Sequence, residues 1–256
     1  MSVLTAIIHC EAAAAPQIDP ATGAPYSFRD LARHANSRLI KLSTTLVDEN
    51  LDIIDEQTDL INSAVPVYNE AGHQITAQRL AAEGVSLAAA INNTLALVRQ
   101  SDRIVVHNAA VAVPVIFAEL WRAVAAVSSG GAAPVPAQTL ARSAQTLLAE
   151  ISRRRIVCTM KIGQDLAKKS MSLGDLTAWA RSRLQPPVPG PAPTLRCDAS
   201  HVREVLQILG RTKLKPLADA FSTPAYRLVL DPLPMPAKTD AGNTHGGYNV
   251  LRPMNQ

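Results

Sequence analysis

Three short runs of apolar, mostly β-branched residues constrain the fold of this chain most. They cover residues 3–8, 103–106 and 155–160, and each has the composition of a β-strand. Residues 3–8 also lack polar alternation, which is typical of a strand buried on both faces. Segments with apolar residues at three- and four-residue steps surround the second and third runs, so the sequence predicts an α/β domain.

An alternating segment follows the first run. In residues 38–47 the even positions are predicted to face the core, and the odd positions Lys41, Ser43 and Thr45 to face solvent. Polar residues 48–50 then predict a turn, and residues 51–61 return as the last part of an antiparallel meander. The predicted fold is therefore a mixed sheet, in which the opening strand of the meander is flanked by parallel strands and helices cover the sheet.

Helical periodicity dominates after residue 86. Apolar stripes predict helices over 86–100, 117–128, 139–153, 173–184 and 202–209, and Pro114 is assigned to the first turn of the second helix, where proline is tolerated. The proline-rich residues 185–193 predict an extended loop or linker. We expect a domain over residues 1–212 and an extended C-terminal segment, 213–256, that becomes ordered against a partner.

The composition excludes several classes of protein. The longest apolar stretches, such as 111–117, are short and interrupted by Pro114, which argues against a membrane span, and no leader peptide is visible. Three scattered cysteines do not predict a disulfide framework. With 25 Lys and Arg against 21 Asp and Glu, the net charge of +4 is weak support for polyanion binding. A cytoplasmic protein is the expectation, or a virion component if the source is viral.

An ordered set of segments resembles the DEDDh family of 3′-to-5′ exonucleases, which includes polymerase proofreading subunits. The resemblance covers roughly residues 1–210 and implies a ribonuclease H-like mixed sheet flanked by helices. The segments that carry it are 7–12 (IIHCEA), 38–49, 73–76 (HQIT), 102–109 (DRIVVHNA), 117–122 (FAELWR), 158–161 (CTMK) and the helices near 173 and 202.

The resemblance also implies where catalytic residues would lie. In this family, carboxylates hold two divalent metal ions and a histidine is the general base. The corresponding positions here hold Cys10 and Ala12 in the first motif, Ala112 in the second, Arg196 for the base and His201 for the last aspartate. Hard ions such as Mg²⁺ need oxygen ligands, which these side chains do not offer.

The substituted positions predict a protein without a metal, cofactor or catalytic residues. We therefore expect an inactive exonuclease-like fold that serves as a structural or protein-binding module. A polymerase-associated complex or a viral or phage assembly would be its setting. Removing clustered carboxylates removes their mutual repulsion, so such a scaffold should tolerate alanine at these positions.

Two realignments keep a divergent active exonuclease as an alternative. A slip by one residue brings Glu11 to the site with His9 in the first acid's place, but it turns the other face of the strand inward. Taking residues 217–220 as the third motif restores Asp219, although the base position then holds Leu214.

A nucleic-acid-binding protein that does not cleave is a further alternative. His107 and Asn108 could contact nucleic acid, although an Asn between a strand and a helix more often stabilises the turn. Arg153, Arg154 and Arg155 form the densest basic run, which could contact phosphates or simply be a solvated helix end. Only nine Phe, Trp and Tyr are available to stack on bases, which argues against a dedicated single-strand binder.

A soft-metal site is the last hypothesis. Under the resemblance, Cys10 and His201 would lie close together, and His9 or Cys197 could complete a zinc site. Unpaired buried cysteines usually behave as small hydrophobic residues, which favours the reading without metal.

Overall fold

The computed structural model describes residues 3–63, 65–68, 74–128, 134–182, 199–211, 221 and 227–228. Its strands are β1 (Thr5–Ala12), β2 (Leu39–Val47), β3 (Ile53–Leu60), β4 (Arg103–Val106), β5 (Arg155–Cys158) and β6 (Arg227–Leu228). Its helices are α1 (Ala77–Glu83), α2 (Leu87–Gln100), α3 (Ala109–Ser128), α4 (Val135–Ser152), α5 (Thr159–Ala167), α6 (Leu173–Arg181) and α7 (Ala199–Arg211).

The strands form one mixed sheet in the order β3-β2-β1-β4-β5-β6. β1, β2 and β3 form an antiparallel meander, β4 lies parallel to β1, and β5 lies parallel to β4. The predicted fold class is confirmed, because the opening strand of a meander has a parallel neighbour and helices flank the sheet. This is the ribonuclease H-like arrangement that the resemblance implies.

Alternation along β1 divides the core into two layers. Ala6 and Ile8 face α2, α3 and α4, whereas Ile7 faces the layer formed by α5, α6 and α7. Parallel strands covered on both faces carry continuous apolar runs, which explains the three runs in the sequence. Each layer excludes water from one face of the sheet, and together the two layers supply most of the driving force for folding.

The solvent-facing side of β2 was predicted wrongly. Ser43 is 3% exposed and Thr45 is 2% exposed, so β2 is covered on both faces. The cover is α7, whose first residue Ala199 donates its backbone N–H to Ser43 Oγ at 3.4 Å. Strand periodicity could not predict this, since polar side chains can be buried when a distant helix supplies partners.

The position of Pro114 was also predicted wrongly. α3 begins at Ala109, so Pro114 lies in its second turn, inside the helix. Proline cannot donate to the carbonyl of Ala110, but Ala110 is exposed, so water can satisfy that carbonyl.

Pro114 does not interrupt the apolar stretch 111–117, because the whole stretch lies within α3 (Ala109–Ser128). By length and composition α3 could cross a membrane, yet 44% of its most apolar window is buried inside the protein. Phe117 and Leu120 pack in the centre of the first layer. These contacts are those of a core helix.

Two short helices were not predicted. α1 has a single buried residue, Leu80, and therefore no apolar stripe to recognise. It ends at Gly84, where a Cβ would lie 2.8 Å from the backbone nitrogen of Asn62, so the close approach of two backbones requires glycine. α5 begins directly after Cys158, so β5 is two residues shorter than the predicted strand.

Parts of the chain beyond residue 212 belong to the sheet and the core. Phe221 is buried in the second layer, and the guanidinium of Arg103 lies 3.7 Å from its ring centroid. β6 pairs with β5 in antiparallel fashion. The structure does not describe the remainder of residues 213–256 or the proline-rich residues 185–193. The partner-dependent ordering of the C-terminal segment therefore stays a prediction.

The long segment between β1 and β2 is fastened by a buried ion-pair network. Glu119 on α3 is 2% exposed and accepts hydrogen bonds from Arg38 Nε at 2.8 Å and from Arg122 Nη1 at 2.9 Å. The same carboxylate accepts from Leu39 N at 3.3 Å, while Arg122 Nη2 donates to His34 O at 3.0 Å. The network thus connects the start of β2 and the segment before it to the central helix.

Candidate functional site

The carboxyl ends of the parallel strands meet at one edge of the sheet. His9, His107 and Thr159 follow the last β1–β4 and β4–β5 pairs and form a row across that edge. His107 Nδ1 lies 3.0 Å from Thr159 Oγ1. Crevices beyond the carboxyl ends of strands are the usual place for ligands in open α/β sheets, which makes this row the candidate site.

His107 is held as a neutral imidazole. Burial, and to a smaller extent the charge of nearby His9, outweigh the opposing effect of a backbone contact with Met171 and lower the pKa of His107 to about 4. Its Nε2 atom is buried and has no hydrogen bond of normal geometry in the described part of the chain. At neutral pH the ring therefore carries no charge that could balance a phosphate.

Asn108 forms the turn between β4 and α3. Its φ of 50° lies in the left-handed region, which Asn adopts more readily than most residues. Its carbonyl accepts hydrogen bonds from Val111 N and Ala112 N. The turn role that the sequence suggested therefore explains why Asn occupies this position. The nucleic-acid contact of Asn108 stays a prediction.

His9 and Glu11 share the face of β1 that carries α7. His9 Nε2 lies 3.0 Å from Glu11 Oε1, and both side chains are partly buried. Of the described acidic residues at this edge, Glu11 is the one that the one-residue slip would bring to a catalytic site. This realignment would place the catalytic site on the α7 face of β1, opposite to the face that carries Cys10.

Cys10 and Ala112, two of the positions implied by the resemblance, lie together on the α3 face. Cys10 Sγ is 3.8 Å from Ala112 O, and Ala12 packs against the same apolar layer. Burial, with a smaller contribution from the charge of Glu11, raises the pKa of the Cys10 thiol to about 12. The thiol is therefore protonated at neutral pH and is a poor metal ligand or nucleophile.

We expect Cys10 to resist alkylation in the folded protein. A rise from 9.0 to about 12 leaves about a thousandfold less thiolate than an ordinary thiol at mildly alkaline pH. Iodoacetamide labelling followed by peptide mass spectrometry should find Cys10 unmodified in native protein and modified after denaturation. Equal labelling of Cys10 in the native and denatured protein would contradict this.

The remaining implied positions are divided between α7 and the undescribed residues. His201 lies on α7, whose apolar side packs on the sheet face opposite to Cys10. Arg196, Cys197 and Asp219 lie outside the described residues. Within the described ranges, no three His, Cys, Asp or Glu side chains are grouped so that they could hold a metal ion.

The arginine run lies at the amino ends of the parallel strands, where β5 begins. Arg154 donates to Ser101 O at 2.8 Å and also pairs with Glu150, as Arg153 does. Burial alone would raise the pKa of Glu150, but hydrogen bonds from the two arginines hold it below its ordinary value. Arg155 Nη1 donates to Phe221 O at 3.4 Å. The structure thus buries the side chain of Arg154, leaves Arg153 and Arg155 exposed with partners in the same chain, and places the run far from His107 and Asn108 along the strands.

A polar cleft that was not predicted lies between β2, β3 and the first turn of α7. Its volume is about 320 Å³, and its lining consists of Ser43, Thr45, Glu56, Thr58 and Ser200. Ser43 Oγ lies 2.8 Å from Thr58 Oγ1. The alternation in residues 38–47 placed Ser43 and Thr45 on one face, but only the packing of α7 turns that face into a cleft.

Comparisons with known proteins give structural matches only. No protein-family model matches the chain, and no curated protein matches its sequence. One similar solved structure is an exonuclease I in complex with the inhibitor BCBP, with 11% identity, a TM-score of 0.48 and coverage of 87% of this chain. Another is a moderately thermophilic exonuclease I from Methylocaldum szegediense, with 11% identity, a TM-score of 0.48 and coverage of 86%. This chain covers 43% of each of those chains, less than half their length.

Proposed function

We propose that this protein is a catalytically inactive exonuclease-like fold that acts as a structural or protein-binding module. The observation that carries the proposal is the contact between Cys10 and Ala112. Where the resemblance implies metal-binding carboxylates, a protonated thiol lies 3.8 Å from a backbone carbonyl and beside an apolar layer. Two-metal catalysis needs charged oxygen ligands at this point.

The chemistry of the neighbouring histidine supports the same proposal. A general base works best with a pKa near the operating pH and within reach of its substrate. His107 has its pKa lowered to about 4 by burial and is 9% exposed, so it is a weak and poorly accessible base. Its contact with Thr159 fits a structural role in joining β4 to β5.

The internal use of the arginine run favours a protein partner over nucleic acid. Arg153 and Arg154 share the single carboxylate of Glu150, which balances one of their two charges within the chain. Binding to a phosphate backbone depends on cations that release counterions, and paired arginines contribute little. The setting that we propose is a polymerase-associated complex or a viral or phage assembly, in the cytoplasm or the virion.

A 3′-end degradation assay tests the proposal. Purified protein is incubated with single- and double-stranded oligonucleotides in Mg²⁺ or Mn²⁺, and product length is read on a denaturing gel. We expect no shortening above that of a protein-free control. Glu11→Gln, purified in parallel, separates catalysis that uses Glu11 from other shortening, since a contaminating nuclease would shorten both samples equally.

One pattern of results would overturn the proposal. Shortening by the wild-type protein that disappears in Glu11→Gln would assign catalysis to the His9 and Glu11 face and establish the divergent nuclease. Retention of the oligonucleotide without shortening, with an affinity that falls steeply with salt, would instead support the non-cleaving nucleic-acid binder.

A further inference from the structure

Among the described residues, β3 is an edge strand whose outer side is open. In the described part of the chain β2 is its only strand neighbour, and the linker before α2 covers one end, where Val85 N donates to Leu60 O at 2.8 Å. Backbone groups alternate in direction along a strand, so those of Glu56 and Thr58 point away from β2 as those of Leu60 do. A register shift beside Leu46 precedes them.

The open edge is strongly acidic in a basic protein. Six of the chain's 21 Asp and Glu lie in residues 48–59, which contain no Lys or Arg, so the other 15 accompany 25 Lys and Arg. Asp55 and Glu56 are exposed and form no ion pair among the described residues. Asp59, by contrast, is buried and accepts hydrogen bonds from the side chains of Asn93 and Gln57.

Two adjacent apolar side chains are exposed at the start of the same strand. Ile53 is 43% exposed and Ile54 is 52% exposed. Neighbouring residues of a strand point to opposite faces of the sheet, so each face offers one isoleucine. A strand added to this edge would cover both, and burial of apolar surface would favour its addition.

The polar cleft lies directly beside this edge. Glu56 and Thr58 line it, and Glu56 is the only charged residue among its described lining. A strand lying along β3 would place alternate side chains over the cleft. Hydroxyl oxygens and a carboxylate that forms no ion pair with another described residue are suited to a lysine or arginine head group.

We propose that the open edge of β3 and the adjoining cleft dock an extended, basic segment of a partner protein as an additional strand. This inference rests on the protein-binding role proposed above and names the surface and the chemistry of the partner. A second copy of this chain is disfavoured as the occupant, because antiparallel pairing of two β3 strands would set acidic side chains opposite one another. A basic segment turns the same charges into attraction.

Peptide binding to the full chain tests the docking surface. The probe is a short fluorescein-labelled peptide of alternating lysine and valine, and its control has glutamate in place of lysine. Fluorescence anisotropy should show that only the basic peptide binds and that salt weakens it. Asp55→Lys combined with Glu56→Lys should weaken binding at least about tenfold, whereas Asp165→Lys on α5 should leave it unchanged.

A backbone pair of variants separates strand addition from simple charge attraction. Thr58→Pro removes an N–H that points away from β2, and proline is tolerated at such edge positions. Thr58→Val loses the same hydroxyl but keeps the N–H. We expect Thr58→Pro to weaken the basic peptide at least about fivefold relative to Thr58→Val, with unchanged circular dichroism for both.

Four outcomes would overturn the docking proposal. They are no binding of the basic peptide, equal binding of the acidic one, binding that ignores the β3 variants, and self-association of the wild type that Thr58→Pro abolishes. The result is independent of the degradation assay. If the protein binds no peptide and shows no nuclease activity, the docking proposal fails and the proposed inactive fold stands. If it binds the basic peptide and also shows nuclease activity, the proposed inactive fold fails and the docking proposal stands.

Discussion

Replacing Glu119 with alanine should destabilise the protein by about 3–5 kcal/mol, the usual cost of breaking a buried ion pair on one side. Glu119 is 2% exposed and is shared by Arg38 and Arg122, whose side chains are 29% and 22% exposed. Hydrogen bonding to this carboxylate raises the pKa of Arg38, while burial lowers the pKa of Arg122. Without Glu119, two largely desolvated guanidinium groups would lack a counter-charge.

Urea denaturation at neutral pH measures this effect, with Glu83→Ala as the matched control. Glu83 pairs with Arg79 on α1, but these side chains are 55% and 36% exposed, so its loss should cost under about 1 kcal/mol. The slope of the free energy of unfolding against urea should be the same in both variants. A cost for Glu119→Ala no larger than that for Glu83→Ala would show that the network does not hold the segment before β2.

Mild acid should destabilise the protein through His107. Its pKa is about 4 in the folded state and 6.5 as the ordinary value, so between these limits the unfolded chain binds more protons. The free energy of unfolding therefore falls as the pH falls through this window, and it is highest above about pH 6.5. The full effect is about 3 kcal/mol, of which about 2 kcal/mol should appear between pH 7 and pH 5.

The variant His107→Gln isolates this contribution, since glutamine can still reach Thr159 but does not titrate. We expect urea denaturation to show a shallower fall in stability from pH 7 to pH 5 in the variant, with about 2 kcal/mol of the wild-type fall removed. The comparison uses the change with pH, so a constant cost of the substitution cancels. Identical pH dependence in the two proteins would exclude His107 as the source.

Most regular elements could be predicted because their local patterns are strong. The apolar run 103–106 matches β4 at both ends, and the stripe from Leu87 to Val98 lies within α2, whose N-cap is Ser86. α1 and α5 escaped prediction because they are short and bury few residues. In such helices stability comes from tertiary contacts, and local periodicity carries little information.

The candidate site could be predicted only in part. The resemblance placed Cys10 and Ala112 at one site, and the structure brings them within 3.8 Å of each other. It did not indicate that His107 would lie beside His9 and Thr159, because adjacency across strands depends on sheet register. Nor did it indicate the cleft at Ser43 and Glu56, which depends on α7.

The sequence by itself determined most of the strands and the longer helices, though not α1 and α5, and that a mixed sheet results, since periodicity and β-branching act within a few residues. Tertiary structure decided which polar groups are buried. Ser43 is covered because α7 packs across β2, and the charge of buried Glu119 is compensated because Arg38 and Arg122 converge on it. Burial and electrostatic pairing join residues far apart in the chain, so they depend on the assembled fold and not on local pattern.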